Sequence, residues 1–506
     1  MYRRFSAPIF FCFFLFLLSA GLNRPVTGQL LHTPSSLGTG GGGTAYITGY
    51  ESLFINPANL ALHRPEIQVR VSTGAFGFMA DTPIHSNSIR ELRSYYLELT
   101  EGYTPGTSPE QRFSEEHILN RNYQTGQLTS EHPSGGEIHW FGVHWQRAQK
   151  SFALSGRTRF ANRFSVGRGF YDSEPVLRRN EQVIDRSLSH SFQVLHELSF
   201  GYAENFSLLS GLIPRLNRIV VGIAPKAVIP GAMLHLENQD RLTWENGRAT
   251  GNRKQQLSHL SSGPLSTTFQ EQQESTGLSG PLNRDALFSP TGIGAGVDMG
   301  ITLMIPLGND LLLANDMDEH RRRMFTIGGS VTDLGFVRYR KKPVTLLNQQ
   351  TTETNVLPGV ANRLFMGRPG EHYNYLYDHS NGLYSESTPE EDAIYMLLPT
   401  SLNGGMLLQI GRLKLMGDLS LGLGNSAFNT TRLVTYLGME IRPLSFLPIR
   451  AGTRLAPDLS DYYTLGTAIE TGWIELGFSV QFRSHSGRPG GELAGAGIGS
   501  LRVRLP

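Results

Sequence analysis

The stretch Ile293-Gly294-Ala295-Gly296-Val297-Asp298-Met299-Gly300-Ile301-Thr302-Leu303-Met304-Ile305 puts an apolar residue at every odd position. Between them stand Gly294, Gly296, Asp298, Gly300, Thr302 and Met304. A helix would scatter the seven odd residues around its surface, whereas a strand lines them all on one face. The same period recurs in Leu413, Leu415, Leu419, Leu421 and Leu423 against Lys414, Asp418 and Ser420. It recurs again in Leu433, Leu437, Met439 and Ile441 against Glu440 and Arg442, and in Ile474, Leu476, Phe478, Val480 and Phe482 against Glu475, Gln481 and Arg483. Such runs are longer than the usual five or six residues of a soluble strand. They suit the roughly 9–11 tilted residues that cross a bilayer.

Working outward, fourteen segments read this way: 67–79, 137–146, 151–161, 190–203, 217–236, 293–306, 324–340, 395–410, 413–424, 432–442, 448–456, 462–471, 473–483 and 496–505. The longest connections (near 80–136, 162–189, 237–292 and 341–394) all fall at odd places in the series. Strands that alternate up and down therefore send every long connection to one side, the loop asymmetry of an outer-membrane barrel. The predicted fold is all-β, an antiparallel transmembrane β-barrel of about 14 strands over residues 67–506. Charge facing lipid at mid-depth costs about 2–4 kcal/mol per residue. Asp298, Lys414, Asp418, Glu440, Arg442, Arg450, Arg454, Glu475 and Arg483 are therefore assigned to the lumen, as a network of paired charges. Tyr202, Phe336, Tyr339, Tyr462, Tyr463 and Trp473 lie near strand ends, where an interfacial girdle sits. Trp140 and Trp145 differ in parity, so a bulge at Gly142 brings both to one face or one of them points inward.

Composition agrees. Of 506 residues 57 are glycine, and charged residues make up only 17%, below the ~25% of an ordinary soluble chain. The formal net charge of +2 comes without a basic patch, which excludes nucleic acid as a partner. Arg3 and Arg4 precede the apolar run Ile9–Leu18, and small residues follow, so residues 1–28 read as a secretory signal peptide cut before Gln29, with Ala20/Gly21 as the alternative. The single cysteine, Cys12, lies inside that run, leaving no thiol for disulfides or metal. The expected home is the outer membrane of a Gram-negative bacterium, with lipid around the wall.

Residues 29–66 carry Gly38-Thr39-Gly40-Gly41-Gly42-Gly43, then Asn56-Pro57-Ala58 just before the first strand. The glycine run fits G-x-G-x-x-G formally but follows no strand and lacks the Lys-Ser/Thr of a phosphate loop, so no cofactor is expected. Residues without bulk can thread a lumen and take backbone angles closed to others, and Asn56-Pro57 makes a rigid turn into the first strand. A small-residue segment ending in Asn-Pro-Ala before strand one resembles the long-chain fatty-acid transporter (FadL-like) superfamily. That resemblance implies a hatch of Gly38, Gly40, Gly41, Gly42, Gly43, Asn56, Pro57 and Ala58 inside the barrel. Val331-Thr332-Asp333-Leu334-Gly335-Phe336, Leu398-Pro399-Thr400-Ser401-Leu402, Gly438-Met439-Glu440-Ile441-Arg442-Pro443 and Leu447-Pro448-Ile449-Arg450-Ala451-Gly452 look closer to a related, mostly uncharacterised outer-membrane family, one that also resembles PorV-like secretion components.

Pro225 and Pro230 interrupt the fifth segment, where every strand of a closed wall must donate hydrogen bonds. The interruption reads as a lateral opening or as the start of the rim. His139 and His144, five apart on a strand, belong on opposite faces, which disfavours a shared metal. Asn315–His320 reads as a solvated turn, the Ser-His neighbours at 189–190 and 485–486 lack a third partner, and Ile89, Leu92, Tyr96 and Leu99 suit a short external helix. No catalytic residues, metal ligands or cofactor are assigned, and an enzyme is not expected. The expected function is passive uptake of a small hydrophobic molecule; the alternative is a non-transporting barrel that anchors or carries a secreted-protein partner.

Overall fold

A computed structural model describes residues 33–62, 68–80, 119, 123, 127–147, 149–172, 174–178, 181–206, 218–245, 250–266, 287–307, 323–356, 392–429, 431–455, 461–471, 474–485, 488–499 and 501–505. The signal segment 1–28, the 89–99 helix, Trp473 and the Asn315–His320 turn lie outside the described residues.

The strands are β1 (Gln68–Ala80), β2 (Thr129–Arg147), β3 (Lys150–Gly167), β4 (Val176–Arg178), β5 (Glu181–Asp185), β6 (Leu188–Phe206), β7 (Arg218–Glu245), β8 (Gly251–Ser262), β9 (Gly292–Pro306), β10 (Arg323–Tyr339), β11 (Val344–Val356), β12 (Ile394–Leu397), β13 (Ser401–Ile410), β14 (Leu413–Gly422), β15 (Leu433–Leu444), β16 (Leu447–Leu455), β17 (Tyr462–Glu470), β18 (Ile474–His485), β19 (Arg488–Ile498) and β20 (Leu501–Leu505). Every ladder is antiparallel, running β1-β2-β3-β6-β7-β9-β10 and, through β12 and β13, on to β14-β15-β16-β17-β18. The ring closes where β1 pairs with β19 through Phe76↔Ile498 and with β20 through Val71↔Val503. With β12 and β13 as one broken wall strand, and β19 and β20 as another, this is the 14-strand closed barrel expected.

The alternation faces as the sequence demands. Ile293, Met299 and Ile301 are exposed on the outer surface of β9 while Asp298 and Thr302 are buried. Met439 and Ile441 point out beside buried Glu440. The outer face is thus an apolar belt, and the inner face carries glycine, polar groups and charge.

Several expectations are corrected. The bulge in β2 lies at His139/Phe141, not at Gly142. It turns both Trp140 and Trp145 outward, and Trp140 Nε1 donates to Thr158 Oγ1 at 2.9 Å. The same bulge turns His139 and His144 both inward, against the opposite faces expected. Phe336 and Tyr463 stand outward as girdle residues, but Tyr339 and Tyr462 are fully buried inside. The intervals expected as long loops hold further strands. β7 continues for 28 residues, and beyond the level where it leaves β9 it pairs with β5 and β8, while β8 pairs with β11. These strands extend the wall above the ring on the long-loop side.

Candidate functional site

Residues 33–62 occupy the barrel interior. A helical turn at Pro34–Leu37 leads through the glycine run to two 3-10 turns, Gly49–Phe54 and Pro57–Ala61. Leu53, Ala58 and Leu60 are fully buried, packed with Ala153 of β3, Ala203 of β6 and Val220 and Ala224 of β7. The wall receives this segment through glycines on many sides. Gly452 lies against Gly40 and Thr39, Gly438 against Thr39, Gly466 against Gly38, Gly405 and Gly328 against Thr44 and Ala45, Gly300 against Asn56, and Gly222 against Pro57 and Ala58. A Cβ at Gly466 would stand 2.8 Å from Gly38 Cα and one at Gly438 2.6 Å from the Thr39 oxygen. Only hydrogen fits there. This explains much of the glycine excess: the wall is thinned where the inner chain passes.

The segment has two unlike halves. From Thr44 onward it is tied by side chains. Asn56 Nδ2 donates to Thr44 O at 2.8 Å and to Thr302 Oγ1 at 2.9 Å, while its Oδ1 accepts from Ala58 N at 3.2 Å, capping the second 3-10 turn. Asn59 Nδ2 donates to Thr44 O and Ile47 O, both at 3.0 Å, and Thr302 Oγ1 donates to Asn59 Oδ1 at 2.7 Å. Ser330 Oγ donates to Ile55 O, Ser151 Oγ donates to Leu60 O, and Glu51 pairs with Arg502 of β20 at 2.7 Å. Pro57 starts the second 3-10 turn, where its missing N–H costs nothing. Before Thr44, the hydrogen bonds of residues 33–43 run within the inner segment itself. Their contact with the wall is close packing, of Gly38, Thr39 and Gly40 on the wall glycines Gly466, Gly438 and Gly452 and of Gly41 and Gly42 on Tyr436 and Asp418, and Gly40 and Gly41, at φ +93° and +105°, use angles that side chains disfavour.

Above this plug, towards the long loops, the inner face reads in bands. Along β3 it runs Ala153, then Arg157 and Arg159, then Ala161. Along β7 it runs Val220 and Ala224, Lys226, Val228 and, past the register shift opposite Gln193 and Leu195, Met233. The order is plug contact, charge, inner apolar band. The charged band joins Arg157 to Glu137 (3.1 Å) and Glu197 (2.8 Å), Arg159 to Glu197 (2.6 Å) and Asp333 (2.9 Å), and Lys226 to Asp298 (2.7 Å) and Asp333 (2.5 Å). Arg157 also lies over the Phe54 ring of the plug at 3.9 Å. The inner apolar band includes Leu195, Val228, Met233, Tyr339 and Phe428. A separate apolar cluster of Phe164, Phe170, Leu188, Leu236 and Leu257 packs with the opposite parity, on the other face of these strands.

The single network expected from the sequence is several. Asp298 belongs to the charged band. Lys414, Glu440, Arg442 and Arg450 form a second group with Glu470, in which Glu440 takes Lys414 at 3.2 Å and both arginines at 2.8 Å. Glu475 pairs with Arg502 at 2.8 Å. Asp418 and Arg454 join no ion pair among the described residues: Asp418 Oδ1 accepts from Thr44 N at 2.8 Å, and Arg454 Nη1 rests on Met79 Sδ at 3.3 Å. Sequence reasoning missed Arg157, Arg159, Glu197, Lys226 and Asp333. Parity would have found the first three. Asp333 was hidden because β10 bulges between Val331 and Leu334 and sets it at φ 57°. The quoted motifs meet there: Thr400 Oγ1 donates to Asp333 O at 2.7 Å, and Leu398 N donates to Gly335 O at 2.9 Å.

β7 runs through both prolines. Pro225 keeps its place opposite Val297 of β9, but towards β6 the pairs between Ser199↔Lys226 and Tyr202↔Ile223 are missing. Pro230 sits opposite Leu195 at a register shift, and its oxygen accepts from Thr291 N at 2.8 Å. His139 lies edge-on to Tyr50 and Phe54, whereas His144 Nε2 meets Ser151 Oγ at 2.7 Å, so the two do not share a site. Among the described residues no group of His, Cys, Asp or Glu has metal-holding geometry.

A plugged barrel of fourteen strands with an apolar exterior is the class that the fold defines. The chain belongs to a family of unknown function, DUF5723, whose model matches residues 89–486. No curated protein matches it in sequence. Among solved structures it is similar to the Ralstonia pickettii toluene transporter TbuX, at 12% identity over 94% of this chain and 99% of that one, TM-score 0.39. It is likewise similar to the P. putida toluene transporter TodX (10%, 94% and 98%, 0.38) and to a Pseudomonas aeruginosa FadL homologue (12%, 95% and 99%, 0.37).

Proposed function

We propose that this is an outer-membrane barrel of a Gram-negative envelope, exported on residues 1–28, that passes a small hydrophobic molecule inward with residues 33–62 as its hatch. The observation that carries this reading is the order of bands in the lumen. An apolar band lies on the long-loop side, and directly beneath it stand the charged band and the plug. An uncharged solute gains from the apolar band, but going straight down it would strip the partners from buried charges, which costs several kcal/mol.

The favoured route is therefore sideways. Leu195, Val228 and Met233 of the inner apolar band border the stretch of β6–β7 where Pro225 and Pro230 weaken the ladder. Lipid lies beyond that wall. In this reading Gly38, Gly40, Gly41, Gly42 and Gly43 are the part of the hatch that moves, and Asn56, Pro57 and Ala58 its fixed foot. Asp298, Lys414, Glu440, Arg442, Arg450 and Glu475 hold the wall in register.

Replacing both prolines, Pro225→Val with Pro230→Val, should complete the ladder and impair uptake of an apolar compound while leaving heat-modifiable migration intact. Unchanged uptake would remove the lateral route. Native mass spectrometry of the purified barrel should reveal a bound hydrophobic molecule; a retained secreted protein with no ligand would favour the carrier role instead.

A further inference from the structure

The inner face of β14–β16 carries Asp418, Tyr436 and Arg454 on one row, paired strand to strand as Asp418↔Tyr436 and Tyr436↔Arg454. Asp418 is 2% exposed and Arg454 4%. Both are buried charges, and elsewhere in this lumen such charges are paired. Here Asp418 Oδ2 and the Nε and Nη2 of Arg454 have no hydrogen-bond partner. The arginine makes do with the Met79 sulfur, a weak acceptor that Gln481 Nε2 also uses at 3.4 Å, and with the Tyr462 ring at 4.1 Å. What lies across the row is the glycine run. A Cβ at Gly42 would stand 2.5 Å from Asp418 Oδ2, one at Gly41 3.1 Å from the Tyr436 ring, and one at Gly40 2.7 Å from the Thr453 oxygen.

We propose that Asp418 and Arg454 are the two halves of an ion pair that the seated glycine run keeps apart, and that they join when residues 38–43 withdraw. Two strand spacings separate their backbones by about 10 Å, a span that an arginine and an aspartate side chain close together. Seating exchanges that pair for the Thr44 N–H bond to Asp418 and for glycine packing; withdrawal restores it. The lumen thus carries its own stabiliser of the withdrawn form, which makes the movement reversible and not a local unfolding. Within the hatch reading, on which this rests, it names the residues that set the balance.

Ser36 is a suitable probe, because it is buried and its hydroxyl makes no hydrogen bond. In the full barrel, Ser36→Cys introduces a thiol, and the rate of maleimide labelling under native conditions reads the withdrawn population. Arg454→Gln removes the pair from the withdrawn form alone, so labelling should slow by roughly three- to tenfold, as for a coupling of about 1 kcal/mol. Arg454→Lys should label near the original rate. If Arg454 only packs the seated segment, Arg454→Gln loosens it and labelling speeds up or stays the same, which overturns the proposal. Heat-modifiable migration of each variant confirms that it folds. If Ser36→Cys never labels in a folded barrel that still takes up ligand, the moving hatch itself is wrong, an outcome distinguishable from failure of the pair.

Discussion

The ammonium of Lys226 lies 2.7 Å from the carboxylate of Asp298 across the β7–β9 ladder, with both side chains fully buried. Asp333 reaches the same ammonium from β10, so one cation ties three neighbouring wall strands directly beside Pro225. Removing it leaves buried carboxylates without compensation. Lys226→Met should lower stability by about 3–5 kcal/mol, read as a drop in the temperature at which the barrel changes its gel mobility. Adding Asp298→Asn should recover part of the loss; no recovery would mean that lost packing, not charge, is responsible.

Asn56 and Thr302 act as one clamp on the foot of the plug. Asn56→Ala deletes a turn cap and the amide's hydrogen bonds to Thr44, Ile301 and Thr302, and should cost about 1–2 kcal/mol. Thr302→Val should cost a similar amount. The double variant should cost less than the sum, because the two side chains bond each other. Denaturation midpoints of the four proteins form the cycle, and strict additivity would contradict a shared clamp.

Glycines of the inner segment and wall should differ sharply in tolerance. At Gly42 an added methyl meets the Asp418 carboxylate, whereas at Gly404 it meets nothing within 4 Å. Gly42→Ala should open residues 33–43 to protease, and Gly404→Ala should leave the digestion pattern unchanged. Overpacking of this kind costs about 1–3 kcal/mol.

Exposed apolar residues should separate into lipid-facing and water-facing sets. Ile301, on the outer face of β9, is 46% exposed, and Leu177, on β4 beyond the ring, is 60% exposed. Ile301→Arg should cost about 2–4 kcal/mol and Leu177→Arg close to nothing, measured by folding into vesicles. Equal costs would place both in one solvent.

The extension above the ring should be acid-sensitive before the barrel is. Burial, with His235 of the neighbouring strand beside it, pushes the imidazole of His259 on β8 down to about 3. It is therefore neutral when folded, but takes a proton near its ordinary 6.5 when unfolded. Its contribution is fully present above that pH and drains away as pH falls from about 6.5 towards 3. Protease sensitivity of residues 233–262 should rise over that window, and His259→Gln should flatten the rise.

The alternation of Ile293–Ile305 is enough to orient a wall strand, because lipid outside and polar filling inside leave no other way for it to face. Parity fails where the backbone breaks it. The extra residue at the β2 bulge moved His139 inward and Trp140 outward, and the left-handed Asp333 carried a charge inward from a position that reads as mixed. The bonds of the plug were illegible for another reason. Asn56 meets Thr302, and Asp418 meets Thr44, across hundreds of residues, and only the closed ring brings them together. The glycine excess was the visible trace of those meetings, without saying which glycine faced which residue.

The strand that leaves the plug, β1, has β2 on one side and β19–β20 on the other, so the seam of the ring runs beside the point where the inner chain emerges. The ladder that closes the ring is thus made by the strand that follows the inner segment, and that segment packs against both sides of the closed wall. The finished molecule is a hoop drawn around a cord, and the cord is continuous with the hoop's first stave.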